Sequence, residues 1–197
     1  MYTITEDVRP LHAAAVRATV DLVVRATVDD LTRATPCAGW DLAALLAHMT
    51  AQHRGFAAAA RGHGADLAVW TPTPSGADFR ERYAAAATDV LEAFASPDAL
   101  DRPFDLPELS PDQPFPGRLA LSFHLVDYVV HGWDVATALS LPYQPEPEIL
   151  AATIPIARAV PTGPMRLTPD AAFGPAQPVP PGTDPLAEIL LLLGRQP

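Results

Sequence analysis

Four ionisable side chains, His124, Asp127, His131 and Asp134, interrupt an otherwise apolar run over residues 117–139. At about 100° per residue on a helix, all four fall within an arc of roughly 80°. The remaining positions are almost all Leu, Val, Phe, Tyr, Trp or Ala, so such a helix is expected to be buried on most faces. A buried strip of imidazoles and carboxylates is costly unless its members are paired or metal-bound. Asp127 and His131 stand at i, i+4, where one ion can sit between them. His48, inward-facing in a second apolar run, could supply a third donor from a different helix, with Gln52 one turn on expected to support the ligands from behind. A His–Asp–His set leaves one coordination position open, the pattern of catalytic rather than structural zinc. By ligand type, nickel and iron(II) also suit it.

His124 lies about 10 Å along the helix axis from His131, too far for both to share one ion comfortably. Its predicted role is either a group behind the ligands or a proton carrier lining the pocket. Asp134 is expected either to orient an imidazole N–H behind the ligands or, with equal weight, to bond backbone near the helix end. From spacing alone, a metal-free His–Asp hydrogen-bond network competes evenly with a metal site. A di-iron centre is disfavoured, because the first and third helices offer no inward Glu at the required spacing. Cys37, in a turn, reads as a small buried filler ahead of a reactive thiol. His53 reads as a surface residue, and Trp40 and Trp133 as packing residues.

Several elements must carry these residues. A first helix is predicted over 7–34, with Pro10 in its first turn and an apolar stripe of Val16, Val20, Val23, Val24, Thr27 and Leu31. Arg17, Asp21, Arg25, Asp29 and Arg33 read as a solvated ion-pair ladder along it. Asp41 caps a second helix that runs to about Arg61, and a third covers 78–95, ended by Ser96-Pro97. Residues 97–116 are proline-rich and read as a loop before the central helix. A short helix follows around 148–160, kinked at Pro155, then extended pieces near 165–168 and 177–180. Asp184 and Pro185 open the last helix, whose Leu186, Ile189, Leu190 and Leu193 pack, and Gly194 ends it. The fold class is mainly α: a four-helix bundle over 1–140, with a small helical and irregular extension over 141–197 that packs on it rather than forming an independent domain.

Composition narrows the partners. The 197-residue chain carries a net charge of −10 and no basic run, which argues against nucleic acid. A single cysteine excludes an intramolecular disulfide and fits a reducing cytoplasm. The N-terminal stretch does not read as a signal peptide, and Arg17, Asp21 and Arg25 interrupt the longest membrane-span candidate, so no membrane association is expected.

Residues 35–48, beginning Thr-Pro-Cys-Ala-Gly-Trp-Asp and closing Leu-Leu-Ala-His, and residues 127–136, Asp-Tyr-Val-Val-His-Gly-Trp-Asp-Val-Ala, form a pair of motifs. Together they resemble the mycothiol-dependent maleylpyruvate isomerase metal-binding domain, within the DinB-like helical-bundle superfamily. Phe-Gly-Pro at 173–175 and Leu-Leu-Leu-Gly-Arg-Gln-Pro at 191–197 resemble the tail of a single-domain, mostly actinobacterial branch. The resemblance implies a DinB-like bundle with His48, Asp127 and His131 as ligands of a divalent metal, zinc first. The isomerase pattern has Glu where Asp127 stands, and a second domain for which residues 141–197 are too few. What the resemblance implies is therefore a transferase or isomerase that uses a low-molecular-weight thiol, mycothiol, on an electrophilic substrate, rather than maleylpyruvate isomerisation itself. The alternative is a non-enzymatic metal-binding sensor or partner module on the same bundle. A homodimer is a further expectation.

Overall fold

The computed structural model describes residues 7–168 and 171–197. The first six residues of the predicted bundle lie outside the described residues. Four long helices build the centre: α1 (Arg9–Val23), α2 (Leu42–Ala60), α3 (Phe79–Ala95) and α4 (Gly117–Leu139). α1 packs chiefly on α4 and α2 on α3, while α1 meets α3 and α2 meets α4 to close the bundle. Two shorter helices, α5 (Pro147–Ala159) and α6 (Pro185–Leu192), pack on each other, and α5 lies against α4 and α1. Ile149, Ile156, Ile189, Leu190 and Leu193 from this part share one buried cluster with Phe56, Phe94, Leu121 and Leu125 of the bundle. The fold is thus mainly α. No helix among the described residues is long and apolar enough to cross a membrane.

α1 stops eleven residues short of its predicted end at residue 34. A new start signal wins at Thr27, whose backbone N–H and hydroxyl both donate to the Asp30 carboxylate at 2.8 and 2.7 Å. That local capping nucleates a single 3₁₀ turn over Val28–Thr32 instead of continuing the helix. The predicted ion-pair ladder is broken with it: Arg33 pairs with Asp30 at 2.7 Å and donates to the Ala138 carbonyl at the end of α4. The buried stripe of α1 also sits one position round from the predicted one and comprises His12, Ala15, Val16, Thr19, Leu22 and Val23.

α2 begins as expected, with the Asp41 carboxylate accepting from the Ala44 N–H at 2.8 Å. The proline-rich stretch before α4 is not wholly loop: β1 (Pro103–Phe104) and β2 (Phe115–Pro116) pair antiparallel, Phe104 opposite Phe115, and tie its ends together. Of the two extended pieces predicted later, the first is a 3₁₀ turn over Pro164–Leu167 and the second has no strand. Without a neighbouring strand to pair with, extended backbone there gains no ladder. The segment is instead held by the buried Arg166, whose guanidinium donates to the carbonyls of Val160, Pro161, Gly174 and Leu192.

Candidate metal centre

α2 and α4 run antiparallel, so His48, early on α2, stands level with His131, late on α4. The two rings meet edge-to-face with centroids 5.3 Å apart. Asp127, one turn before His131, places an Oδ1 oxygen 3.4 Å from His131 Nε2. One ligand atom from each of His48, Asp127 and His131 lies within 4.8 Å of the other two. His131 is buried, whereas His48 and Asp127 are half-buried, so the cluster opens to one side. Trp40, 38% exposed, leans on His48 at that opening, with ring centroids 4.9 Å apart.

The second nitrogen of His131 is also engaged. Its Nδ1 lies 2.9 Å from Oδ2 of Asp134, which is fully buried. Arg195, from the C-terminal tail, grips the same carboxylate with a fork: Nε to Oδ1 at 2.9 Å and Nη2 to Oδ2 at 2.8 Å. The Cys37 thiol donates to Asp134 Oδ2 at 3.2 Å, and Arg195 Nη2 reaches its sulfur at 3.2 Å. Cys37 is therefore a half-buried member of a polar cluster and not an apolar filler.

Electrostatics sorts these groups. Burial, with the charge of His131 beside it, pushes His48 down to about 4, so its imidazole is neutral near pH 7 and its lone pair is free. Burial opposes the His131 imidazolium, but the Asp127 charge and the hydrogen bond to Asp134 outweigh it and hold this group well above 6.5. Burial likewise opposes the Asp134 carboxylate, yet its bonds to His131 and Arg195 bring it down to about 2.

Within this cluster the Asp127–His131 pair has the spacing a divalent ion would need. With metal–donor bonds of about 2.0–2.1 Å, two ligands of a tetrahedral ion lie about 3.3 Å apart. The 3.4 Å between Asp127 and His131 matches that spacing and is long for a hydrogen bond. His131 Nδ1 is committed to Asp134, which leaves Nε2 as the nitrogen facing the other two donors.

His124 is brought into a different cluster. It is fully enclosed, with Nδ1 2.8 Å from His12 Nε2 and Nε2 3.3 Å from His53 Nδ1. Tyr128 stacks on both His124 and His53, and its hydroxyl donates to the Met49 carbonyl. A proton carrier lining the opening is not what this geometry offers. His53, read as surface, is completely buried, because α2 is covered nearly all round by α3, α4 and the 3₁₀ turn Leu67–Trp70. Gln52, level with the lower part of the site, donates to Glu108 of the proline-rich loop at 2.8 Å and to no member of the donor cluster. Sequence reasoning missed His12 and Arg195. His12 stands four residues before Val16 on the buried stripe of α1, a usable signal once that stripe is placed correctly. Arg195 lies in the tail motif at 191–197, but nothing local ties that motif to the site, and only the need of the buried Asp134 for a counter-ion connects the two.

Comparison with known proteins agrees with this architecture. The family model of the mycothiol maleylpyruvate isomerase N-terminal domain matches residues 12–136, which span α1 to α4 and all three donors. The chain belongs to that family. It is also 26% identical over 166 residues to an uncharacterized protein of Mycobacterium tuberculosis strain CDC 1551, covering 82% of each chain. An uncharacterized protein of strain H37Rv matches to the same extent, 26% over 166 residues and 82% of each chain. No solved structure matches.

Proposed function

We propose that this protein is a divalent-metal-binding domain whose ion is held by His48, Asp127 and His131, and that it serves a thiol-dependent transferase or isomerase reaction. The observation that carries the reading is the convergence of three donors from two helices on one partly open point, with the far nitrogen of His131 already fixed by Asp134. Zinc suits two imidazoles and one carboxylate best. When bound, such an ion supplies Lewis acidity that lowers the pKa of a thiol on its open position, giving a thiolate near neutral pH. His48 and Asp127 form the half-buried side of the set, from which a small molecule would approach. Trp40 at the rim offers an apolar face to it and excludes water from one side of His48. Membership of a family named for mycothiol chemistry favours mycothiol as the thiol, with an electrophile as second substrate.

The test is metal content of untagged protein beside His48→Ala and Asp127→Ala, followed by thiol-dependent turnover of the loaded protein across electrophile classes. One equivalent of transition metal in the parent, lost in both variants, is the expected result. No bound metal, and none taken up from zinc, nickel or iron(II), overturns the reading. Stoichiometric metal with no turnover would leave the non-enzymatic sensor or partner module as the function.

A further inference from the structure

This inference rests on the metal-binding reading above and extends it to the far end of the chain. We propose that Arg195 is a positioning residue of the metal centre: it immobilises the Asp134 carboxylate that orients His131. Asp134 lies on the side of His131 away from the donor set. The His131 imidazole and the Cys37 thiol both reach Oδ2 alone, which leaves Oδ1 unheld and the carboxylate able to turn about that one oxygen. The Arg195 fork engages both carboxylate oxygens at 2.9 and 2.8 Å and removes that freedom. With Asp134 fixed, the Nδ1 proton of His131 is held on the side away from the donor set, so that Nε2, which faces Asp127, is the nitrogen that would exchange its proton for an ion.

The tail is built to deliver this guanidinium. After α6 the chain reverses at Gly194, where φ is +84°, and the Arg195 N–H bonds back to the Leu190 carbonyl at 2.8 Å. A Cβ at Gly194 would lie 2.7 Å from the Gly174 backbone, so the turn needs glycine for space as well as for conformation. The preceding turn is pinned from two sides. Arg166 Nη1 donates to the Leu192 carbonyl at 2.7 Å, and the Gln177 N–H donates to the Leu191 carbonyl at 2.8 Å. The C-terminal segment thus reaches the metal site through one side chain, although Arg195 is 61 residues from Asp134.

The experiment compares Co²⁺ binding in the full chain with Arg195→Gln and Arg195→Lys. Affinity is read by chelator competition and ligand geometry by the visible absorption spectrum. Arg195→Gln is expected to lower affinity about 10- to 100-fold and to change the spectrum. Lysine, which keeps the charge but not the fork, is expected to recover part of the loss. Gly194→Ala keeps the guanidinium but displaces its arm, and is expected to shift the spectrum in the same direction. A merely structural clasp would lower the melting temperature of the variants while leaving affinity and spectrum at the parent's values, and that result overturns the proposal. A parent that takes up no Co²⁺ removes the metal-binding reading and this inference with it. A parent that binds Co²⁺ beside an unaltered Arg195→Gln removes the inference alone.

Discussion

Mild acid is expected to unfold this protein through His12, His53 and His124. All three imidazoles are enclosed, and their neighbours are Phe56 from α2, Tyr83 and Phe94 from α3, and Tyr128 from α4. Among the described residues, no carboxylate or guanidinium is hydrogen-bonded to any of them. Burial brings His12 down to about 3. Burial, then the like charge of neighbouring histidines, holds His53 and His124 well below 6.5. In the unfolded chain each titrates near 6.5. A base whose folded pKa is depressed contributes its full stability above 6.5 and loses it as pH falls toward the folded value. At pH 5 each imidazole kept neutral therefore costs about 2 kcal/mol, and the three together about 6 kcal/mol. That is comparable with the whole stability of a typical domain, about 5–15 kcal/mol. His48, held at about 4, adds in the same direction in metal-free protein. His131 has the opposite sign, since a raised folded pKa gives stability that is already complete below 6.5 and flat across this window. Asp134, held at about 2, loses its contribution only below the ordinary carboxylate range. Urea unfolding followed by far-UV circular dichroism between about pH 7 and pH 5, in chelator, measures the effect. Unfolding free energy should fall by about 6 kcal/mol or more, with about three protons taken up by these histidines on unfolding near pH 5 and about one more by His48. His12→Phe should reduce that uptake by about one. A loss under about 2 kcal/mol would refute the account, because the imidazoles would then have to titrate inside the fold or be solvated.

Two further outcomes follow from the packing. Arg166→Met leaves the carbonyls of Val160, Pro161 and Leu192 without their donor, and should destabilise the fold by about 3 kcal/mol and make the C-terminal segment the first site of limited proteolysis. The Thr19 hydroxyl spends its proton on the Val16 carbonyl at 2.7 Å, so Tyr83 must be the donor in the buried 2.6 Å contact between the two hydroxyls. A double-mutant cycle with Thr19→Val and Tyr83→Phe should give a coupling of about 1 kcal/mol in urea unfolding, whereas additive effects would show the contact to be unimportant.

Periodicity and capping residues sufficed for much of this molecule. The limits of α2, α3 and α4 follow from Asp41, from Ser96-Pro97 and from the apolar run over 117–139, because helix ends are decided by a few neighbouring residues. The i, i+4 placement of Asp127 and His131 needs only the pitch of one helix. What the sequence left open is relational. The same periodicity that marked an inward face on α2 pointed at His48 and away from His53. The packing of α2 between α3 and α4 instead puts His48 at an edge and His53 in the centre. Pattern alone could not stop α1 at Val23, since the Thr27–Asp30 bond competes with a stripe that would otherwise continue. By itself, then, the sequence determined which segments are helical and which side chains of α4 share a face, because both are local properties of a few turns. Only tertiary structure decided that His12, His53 and His124 form one enclosed chain and that Arg195 closes on Asp134. Those contacts join positions 61 to 112 residues apart, and no local periodicity encodes which distant side chain will meet a buried polar group.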